Sequence, residues 1–180
     1  MNRITLAVTG SISAYKAADL TSQLTKAGYE VTVLMTQAAT AFITPLTLQV
    51  LSKKAVHLDV MAEPQPDQVN HIEIAKATDL FLVVPASANT IAKLAHGLAD
   101  NMVTTTALAL EPSVKKVLAP AMNTKMLTHP LTQKNLVSLQ EIGYQIIQPR
   151  SALLACGDTG SGALAEVSDI LEFVKAVLPL

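Results

Sequence analysis

The sequence is poor in cysteine and in aromatic residues: its 180 residues include one cysteine, three phenylalanines, three tyrosines and no tryptophan. A single cysteine excludes an intramolecular disulfide, which fits a reducing compartment. Half of the residues are hydrophobic but only 3% are aromatic, so we expect an aliphatic core. A chain of this length is able to bury such a core without cross-links, and we expect a single domain over residues 1–180.

Charge of either sign is also sparse. Thirteen basic and fourteen acidic residues give a net charge of −1, with no block of lysine or arginine. This excludes the basic surface that nucleic acids and anionic membranes attract. The apolar run at the N-terminus is too short for a signal peptide, and no run approaches the roughly 18 residues of a spanning helix. We therefore expect a cytoplasmic protein that binds neither nucleic acid nor membrane.

Strand-like and helix-like patterns alternate along the chain. Short apolar runs predict strands at 4–10, 30–36, 55–60, 79–87, 115–122 and 144–149. The last helix places Ile170, Val174 and Val177 on one face, with Ser168 as its N-cap. This alternation predicts an α/β fold in which a parallel sheet lies between two helical layers, of the flavodoxin-like or Rossmann-like type. Residues 62–68, with two prolines, predict a mobile surface loop.

Three strands are followed by small, uncharged polar residues, in TGSISAYK (9–16), PASANT (85–90) and PAMNTKM (120–126). Ligands bind at this end of the strands in such folds. Gly10 and Ser11 favour close approach of a phosphate to the backbone, although an ordinary turn explains them too. Ser87 and Asn89 are suited to bond a flavin ring or to cap the next helix. Asn123 is either a turn residue or a ligand contact.

One histidine is a candidate base. His71 follows Asn70, a favourable N-cap, and Glu73 completes a capping box, so we predict His71 in the first turn of a helix. The positive end of the helix dipole there favours a neutral imidazole that is able to accept a proton. The alternative is a surface residue without a role, which is our interpretation of His57, His96 and His129. No H-x-x-x-H motif or cysteine cluster is present, so no metal site is predicted.

The single cysteine stands in a glycine-rich segment, LACGDTGSG (154–162). Structural cysteines are usually buried in an apolar strand or helix. Gly157 and Asp158 follow Cys156 directly and predict a loop instead. The position of the thiol therefore indicates a function rather than packing.

Taken together and in this order, GSISAYK, the histidine of NHIEIAK, PASANT, PAMNTKM and LACGDTGSG resemble the flavin-containing cysteine decarboxylases. The resemblance extends over residues 10–166. It implies FMN as the cofactor and a homo-oligomer, either a trimer or a dodecamer built from trimers. The cysteine segment narrows it to members that act on 4′-phosphopantothenoylcysteine in coenzyme A biosynthesis.

The resemblance also implies a role for each site residue. The phosphate and ribityl part of FMN would be held by Gly10, Ser11, Ile12 and Thr36. The flavin ring would be lined by Ser87, Ala88, Asn89, Thr90 and Ala121. The substrate would meet Asn123 through its carboxylate, and the backbone of Leu153, Leu154 and Ala155. His71 would be the catalytic base, and Cys156 the proton donor on a flap whose glycines provide the hinge.

The implied reaction is a decarboxylation without net redox change. Oxidation of the substrate thiol by FMN creates an electron sink for the loss of CO2, and re-reduction of the enethiol with a proton from Cys156 gives 4′-phosphopantetheine. Three alternatives stay open: a decarboxylase of a peptide's C-terminal cysteine, a flavin prenyltransferase and a non-catalytic flavin-binding regulatory subunit. Leu127 and Val167 stand where the family often has tryptophan and proline, and these departures bear on packing around the site.

Overall fold

The computed structural model describes residues 2–155, 157 and 159–180. Six strands form one sheet in the order β3-β2-β1-β4-β5-β6, and all of their pairings are parallel. They are β1 (Arg3–Val8), β2 (Glu30–Met35), β3 (Val56–His57), β4 (Leu80–Ala86), β5 (Lys115–Pro120) and β6 (Tyr144–Ile146). The predicted parallel sheet is confirmed. Its order places the switch point of a doubly wound fold between β1 and β4.

Helices cover both faces of the sheet. They are α1 (Lys16–Ala27), α2 (Pro45–Ser52), α3 (Asn70–Lys76), α4 (Ala88–Ala95), α5 (Met102–Leu108), α6 (Thr124–Thr128), α7 (Pro130–Glu141) and α8 (Val167–Val177), with 3₁₀ turns at Ile12–Tyr15 and Gln37–Ala41. Helices α1, α2 and α8 share one apolar cluster with the sheet, whereas α3 to α7 share the other. The three-layer α/β/α architecture is thus confirmed. None of the helices within the described residues is long and apolar enough to cross a membrane.

Strand β4 explains why the sheet needs a helical layer on each face. All seven of its residues are buried. Leu80 and Leu82 pack into the cluster that contains α1 and α8, whereas Phe81 and Val83 pack into the opposite cluster. Successive side chains of a strand point to opposite faces, so a continuous apolar run requires cover on both sides.

Some predicted boundaries are wrong. Strand β3 is limited to two residues because it pairs with β2 only through Val56 and His57. Helix α8 begins at Val167 with Glu166 at its N-cap, so Ser168 lies within the first turn and does not cap it. Residues 62–68 contain neither helix nor strand, as predicted.

The glycine-rich segment departs most from its predicted loop. Arg150–Leu153 forms β7 and Thr159–Ala163 forms β8, and these two strands pair antiparallel as a separate hairpin. Two of its glycines, Gly160 and Gly162, lie within β8. A strand that contains glycine gives little sequence signal, because glycine has no side chain to pack.

An ion pair joins the beginnings of β1 and β4. The backbone N–H and Nε of Arg3 donate to Oδ2 of Asp79 at 2.8 and 3.1 Å, and Nη2 donates to Oδ1 at 2.8 Å. These hydrogen bonds favour the carboxylate and hold the pKa of Asp79 below its ordinary value. Both side chains are partly exposed, so solvent screening limits the contribution of the pair to less than about 1 kcal/mol.

Replacing Asp79 by asparagine is expected to lower the free energy of unfolding slightly at neutral pH. The carboxylate contributes its full stabilisation above the pKa it has in the unfolded chain, about 3.9, and this contribution is lost as the pH falls through the lowered pKa of the folded state. Urea unfolding between about pH 7 and pH 3 should therefore show wild type and Asp79→Asn converging in acid. A gap that persists unchanged in acid would contradict this account.

Candidate active site

A cavity of about 530 Å³ opens at the carboxyl edge of the sheet, beside the switch point. It is enclosed by the loops that follow β1, β4 and β5, and by the β7–β8 hairpin. Small-molecule sites commonly have volumes of about 300–1,000 Å³. The structure thus brings four segments that are distant in the sequence to a single cavity.

Most of the predicted site residues lie on its wall. The lining includes Gly10, Ser11, Ile12, Ser87, Ala88, Ala121, Asn123, Leu153, Leu154 and Ala155. Thr36, Asn89, Thr90 and His71 are not among the lining residues. Cys156 lies outside the described residues. The roles assigned to all of these residues stay predictions.

Side-chain caps shape the loops that form the cavity. The oxygen of Ser87 accepts a hydrogen bond from the backbone N–H of Thr90 at 3.3 Å, so the capping interpretation of Ser87 is confirmed. Ser11 and Thr36 cap the two 3₁₀ turns in the same way, and Asn123 accepts from Lys125 N–H at 2.8 Å. Each cap satisfies a helix-terminal donor and holds its own side chain at the edge of the sheet.

Thr9 is a positioning residue that the sequence analysis missed. It is fully buried at the end of β1. Its hydroxyl donates to the carbonyl of Pro85 at 2.6 Å and accepts from the backbone N–H of Ser87 at 2.9 Å. One side chain therefore fixes the loop after β4 against the loop after β1. The available signal was a polar residue at the end of an apolar run, where a buried hydroxyl requires partners.

The cavity wall is mostly small and apolar. Gly10, Ala88 and Ala121 contribute small surfaces, and the exposed side chains of Phe42 and Met126 also line it. Among the described lining residues only Lys16 and Arg150 carry charge. Within the described residues no cluster of three or more metal-binding side chains is found. Small apolar walls with a few neutral hydrogen-bonding groups fit a flat heteroaromatic ring such as a flavin.

Close backbone contact docks the hairpin against residues 122–124, which follow β5 and are called the Asn123 loop below. The backbone N–H of Met122 donates to the carbonyl of Gly162 at 2.9 Å, and the Thr124 hydroxyl donates to the carbonyl of Ser161 at 2.6 Å. A Cβ at Gly162 would lie 2.2 Å from the Met122 carbonyl oxygen. Gly162 therefore permits this docking, which differs from the hinge function predicted for the glycines of the segment.

His71 is the second residue of α3, so its predicted place in the first turn is confirmed. The predicted capping box is wrong, because the N-cap is Val69 and it makes no side-chain cap. Nδ2 of Asn70 instead donates to Nδ1 of His57 at 3.0 Å. Burial, followed by the nearby Lys54, lowers the pKa of His57 and favours the neutral ring that accepts this bond. His57 thus has a structural contact that the sequence analysis did not foresee.

The ring of His71 is half-buried, and its Nδ1 is buried without a hydrogen-bond partner among the described residues. Buried polar atoms normally have partners.

The two departures from the family pattern are accommodated by packing. Leu127 is buried in the cluster around α3 to α7, and Val167 packs against the opposite cluster.

Comparison with known proteins defines the class to which this protein belongs. The model of the Flavoprotein family matches residues 1–179. The chain belongs to this family, and the family predicted from the motifs is confirmed.

Two relatives match the chain over nearly its full length. The chain is 60% identical, over 98% of both chains, to a protein of Streptococcus mutans named "probable phosphopantothenoylcysteine decarboxylase". It is also 44% identical, over 96% of its length, to the coenzyme A biosynthesis bifunctional protein CoaBC of Bacillus subtilis. It spans 42% of that bifunctional protein.

Solved structures agree with these relatives. A cysteine-to-serine mutant of PPC decarboxylase complexed with pantothenoylaminoethenethiol matches with a TM-score of 0.90 and 35% identity, over 98% of this chain and 97% of the other. The FMN-dependent cysteine decarboxylase SpaF matches with a TM-score of 0.83 and 29% identity, over 96% and 94%.

Replacing Gly162 by alanine is expected to detach the hairpin from the Asn123 loop. Its backbone φ is +136°, and the new Cβ would collide with a backbone oxygen. Crowding of this kind typically costs about 1–3 kcal/mol. Hydrogen–deuterium exchange should show faster uptake in residues 150–163 and at Met122.

Gly143→Ala is the matched control. Gly143 also has a positive φ, +92°, but a Cβ there meets nothing within 4 Å. This variant is expected to cost only backbone strain, about 1–2 kcal/mol, without a local effect on the hairpin. Equal exchange at the hairpin in both variants would refute the docking role of Gly162.

Proposed function

We propose that the chain is an FMN-dependent phosphopantothenoylcysteine decarboxylase, which converts 4′-phosphopantothenoylcysteine to 4′-phosphopantetheine and CO2 in coenzyme A biosynthesis. The observation that carries this proposal is the cavity in which the three strand-end loops meet the hairpin that leads to Cys156. Family membership and the high identity to a protein named for this activity support it.

FMN would be held by loops that the fold already holds in shape. Gly10, Ser11 and Ile12 would face its phosphate and ribityl part, and Ser87, Ala88 and Ala121 its ring, because these residues line the cavity. When bound there, FMN would supply the redox chemistry of the reaction, taking up two electrons from the substrate's thiol end and giving them back at the end.

Three further residues assigned to the cofactor would contribute mainly by shaping these loops. Thr36 caps the turn after β2, and Thr90 is bonded to the Ser87 side chain at 3.2 Å. Asn89 is exposed in the first turn of α4, next to the cavity residue Ala88. Their place outside the lining is consistent with an indirect effect on the flavin.

The substrate would lie between the Asn123 loop and the hairpin. The amide of Asn123 is suited to bind its carboxylate, and the backbone of Leu153, Leu154 and Ala155 would contact the rest. Cys156, which follows Ala155 directly, would deliver the final proton, because a thiol with an ordinary pKa of about 8.5 holds its proton near neutral pH. A free thiol in this role is consistent with action in the reducing cytoplasm.

His71 would accept the proton that the substrate loses in the first half of the reaction. Because it does not line its own chain's cavity, we assign it to the site of a neighbouring copy within a homo-oligomer, either a trimer or a dodecamer built from trimers. The buried Nδ1 without a partner among the described residues supports this assignment, since a second subunit or its ligand would complete the environment of the ring.

The proposed function is tested by turnover. The purified protein is expected to carry FMN, identified by absorbance and mass spectrometry after release, and to liberate CO2 from 4′-phosphopantothenoylcysteine. A peptide that ends in cysteine serves as the competing substrate. Preferred turnover of the peptide, or flavin binding without turnover of either compound, would overturn the proposal.

The two proposed proton-transfer residues predict different blocks. Cys156→Ser is expected to release CO2 but to accumulate the enethiol, two hydrogens lighter than the thiol product, because the last protonation fails.

His71→Asn is expected to abolish bleaching of the flavin by substrate, whereas the control variant His96→Asn should bleach normally. Co-expressed His71→Asn and Cys156→Ser chains should recover activity if His71 serves a neighbouring site. Normal bleaching in His71→Asn would exclude it as the base.

A further inference from the structure

The charge in the cavity is concentrated in one cluster. Lys16, the first residue of α1, and Arg150, the first residue of β7, are the only charged side chains among the described lining residues. Glu166 lies between them. Its Oε1 is 2.9 Å from Nε of Arg150, and its Oε2 is 3.7 Å from Nζ of Lys16. Among the described residues, two cations therefore share a single carboxylate, and these three side chains together carry a formal charge of +1.

Both cations retain hydrogen-bond donors that no described residue uses. Nζ of Lys16 makes only the long ion pair and no hydrogen bond among the described residues, although its side chain is only 19% exposed. Nε of Arg150 donates to the Leu164 carbonyl at 3.0 Å and lies within ion-pair distance of Glu166. The two terminal amino groups of Arg150 make no hydrogen bond within the described residues, and they form the planar fork that binds phosphate in a bidentate manner.

The proposed function leaves one anionic group without a partner. The substrate carboxylate is assigned to Asn123, and the FMN phosphate to the loop after β1. The phosphate of the substrate remains, and a dianion requires cationic donors in a cavity whose other described lining residues are uncharged.

Strand β7 carries both one of the two cations and a predicted substrate contact. Arg150 and Leu153 stand at opposite ends of β7, about 10 Å apart at the rise of a β-strand. Both line the cavity. A substrate that lies along β7 with its phosphate at Arg150 would contact both residues.

We propose that Lys16 and Arg150 form the subsite for the 4′-phosphate of the substrate, and that Glu166 holds the two cations in place when no phosphate is bound. This inference rests on the proposed decarboxylase function and adds a determinant of substrate specificity. The subsite makes the enzyme prefer a phosphorylated substrate over the same molecule without phosphate.

The experiment compares kcat/KM of the flavin-loaded enzyme for 4′-phosphopantothenoylcysteine and for pantothenoylcysteine. Lys16→Met and Arg150→Gln are each expected to lower the preference for the phosphorylated compound about 10- to 100-fold, the range for hydrogen bonds to a charged group. Lys93→Met is the control. Lys93 is similarly buried, at 22% exposure, and is paired with Asp100, but it does not line the cavity. It should leave the preference unchanged.

Glu166→Gln gives a test that misfolding cannot imitate. Because it removes the carboxylate with which the phosphate competes, KM for the phosphorylated compound is expected to fall several-fold. An unchanged preference in both cation variants, or a raised KM in Glu166→Gln, would overturn the subsite.

Two other outcomes distinguish a failure of the proposed phosphate subsite from a failure of the proposed function. Loss of bound FMN from the cation variants, with both substrates affected equally, would assign the cations to the cofactor and overturn the inference. Failure of the wild-type enzyme on both compounds would overturn the proposed function, and this subsite with it.

Discussion

The side-by-side pairing of β1 and β4 positions every other part of the site. Parallel strands end at the same edge of a sheet, and the winding reverses at this pair, so the chain leaves a crevice between the two following loops. The buried Thr9 hydroxyl bridges these loops through the Pro85 carbonyl and the Ser87 N–H. Both bonds form inside the protein, where an unsatisfied partner is costly. These two hydrogen bonds tie both loops of the crevice to the end of β1.

Side-chain caps also hold the loops that form the cavity wall. Ser11, Ser87 and Asn123 each bond to a backbone N–H at the start of the following helix or turn. The same residues line the cavity, so capping and ligand binding are not competing interpretations of them. A cap uses an acceptor oxygen and holds the side chain in one orientation, which lowers the entropy cost of binding a ligand there. The helix starts thus pre-organise the proposed flavin site.

The described wall of the cavity is neutral except for two cations. Near Ala88 and Ala121 the wall is small and uncharged, which suits an aromatic ring and the dry environment in which electrostatic interactions are strong. Near Arg150 the wall carries the two cations. Gly162 lets the hairpin approach the Met122 carbonyl more closely than any side chain would allow.

The alternation of apolar strands and amphipathic helices was sufficient to predict the three-layer fold, because burial on both faces leaves a continuous apolar run such as 80–86. The loop motifs were sufficient to predict most of the cavity wall, since the strand ends of a parallel sheet must meet. The sequence could not reveal the Thr9 bridge or the Asn70–His57 bond, because each joins residues whose proximity depends on tertiary packing. It likewise concealed the β7–β8 hairpin, whose glycines are explained only by the backbone against which they pack. Local pattern therefore determined the elements and the candidate residues, whereas long-range contacts alone decided which of these residues share a cavity and which are held at its edge.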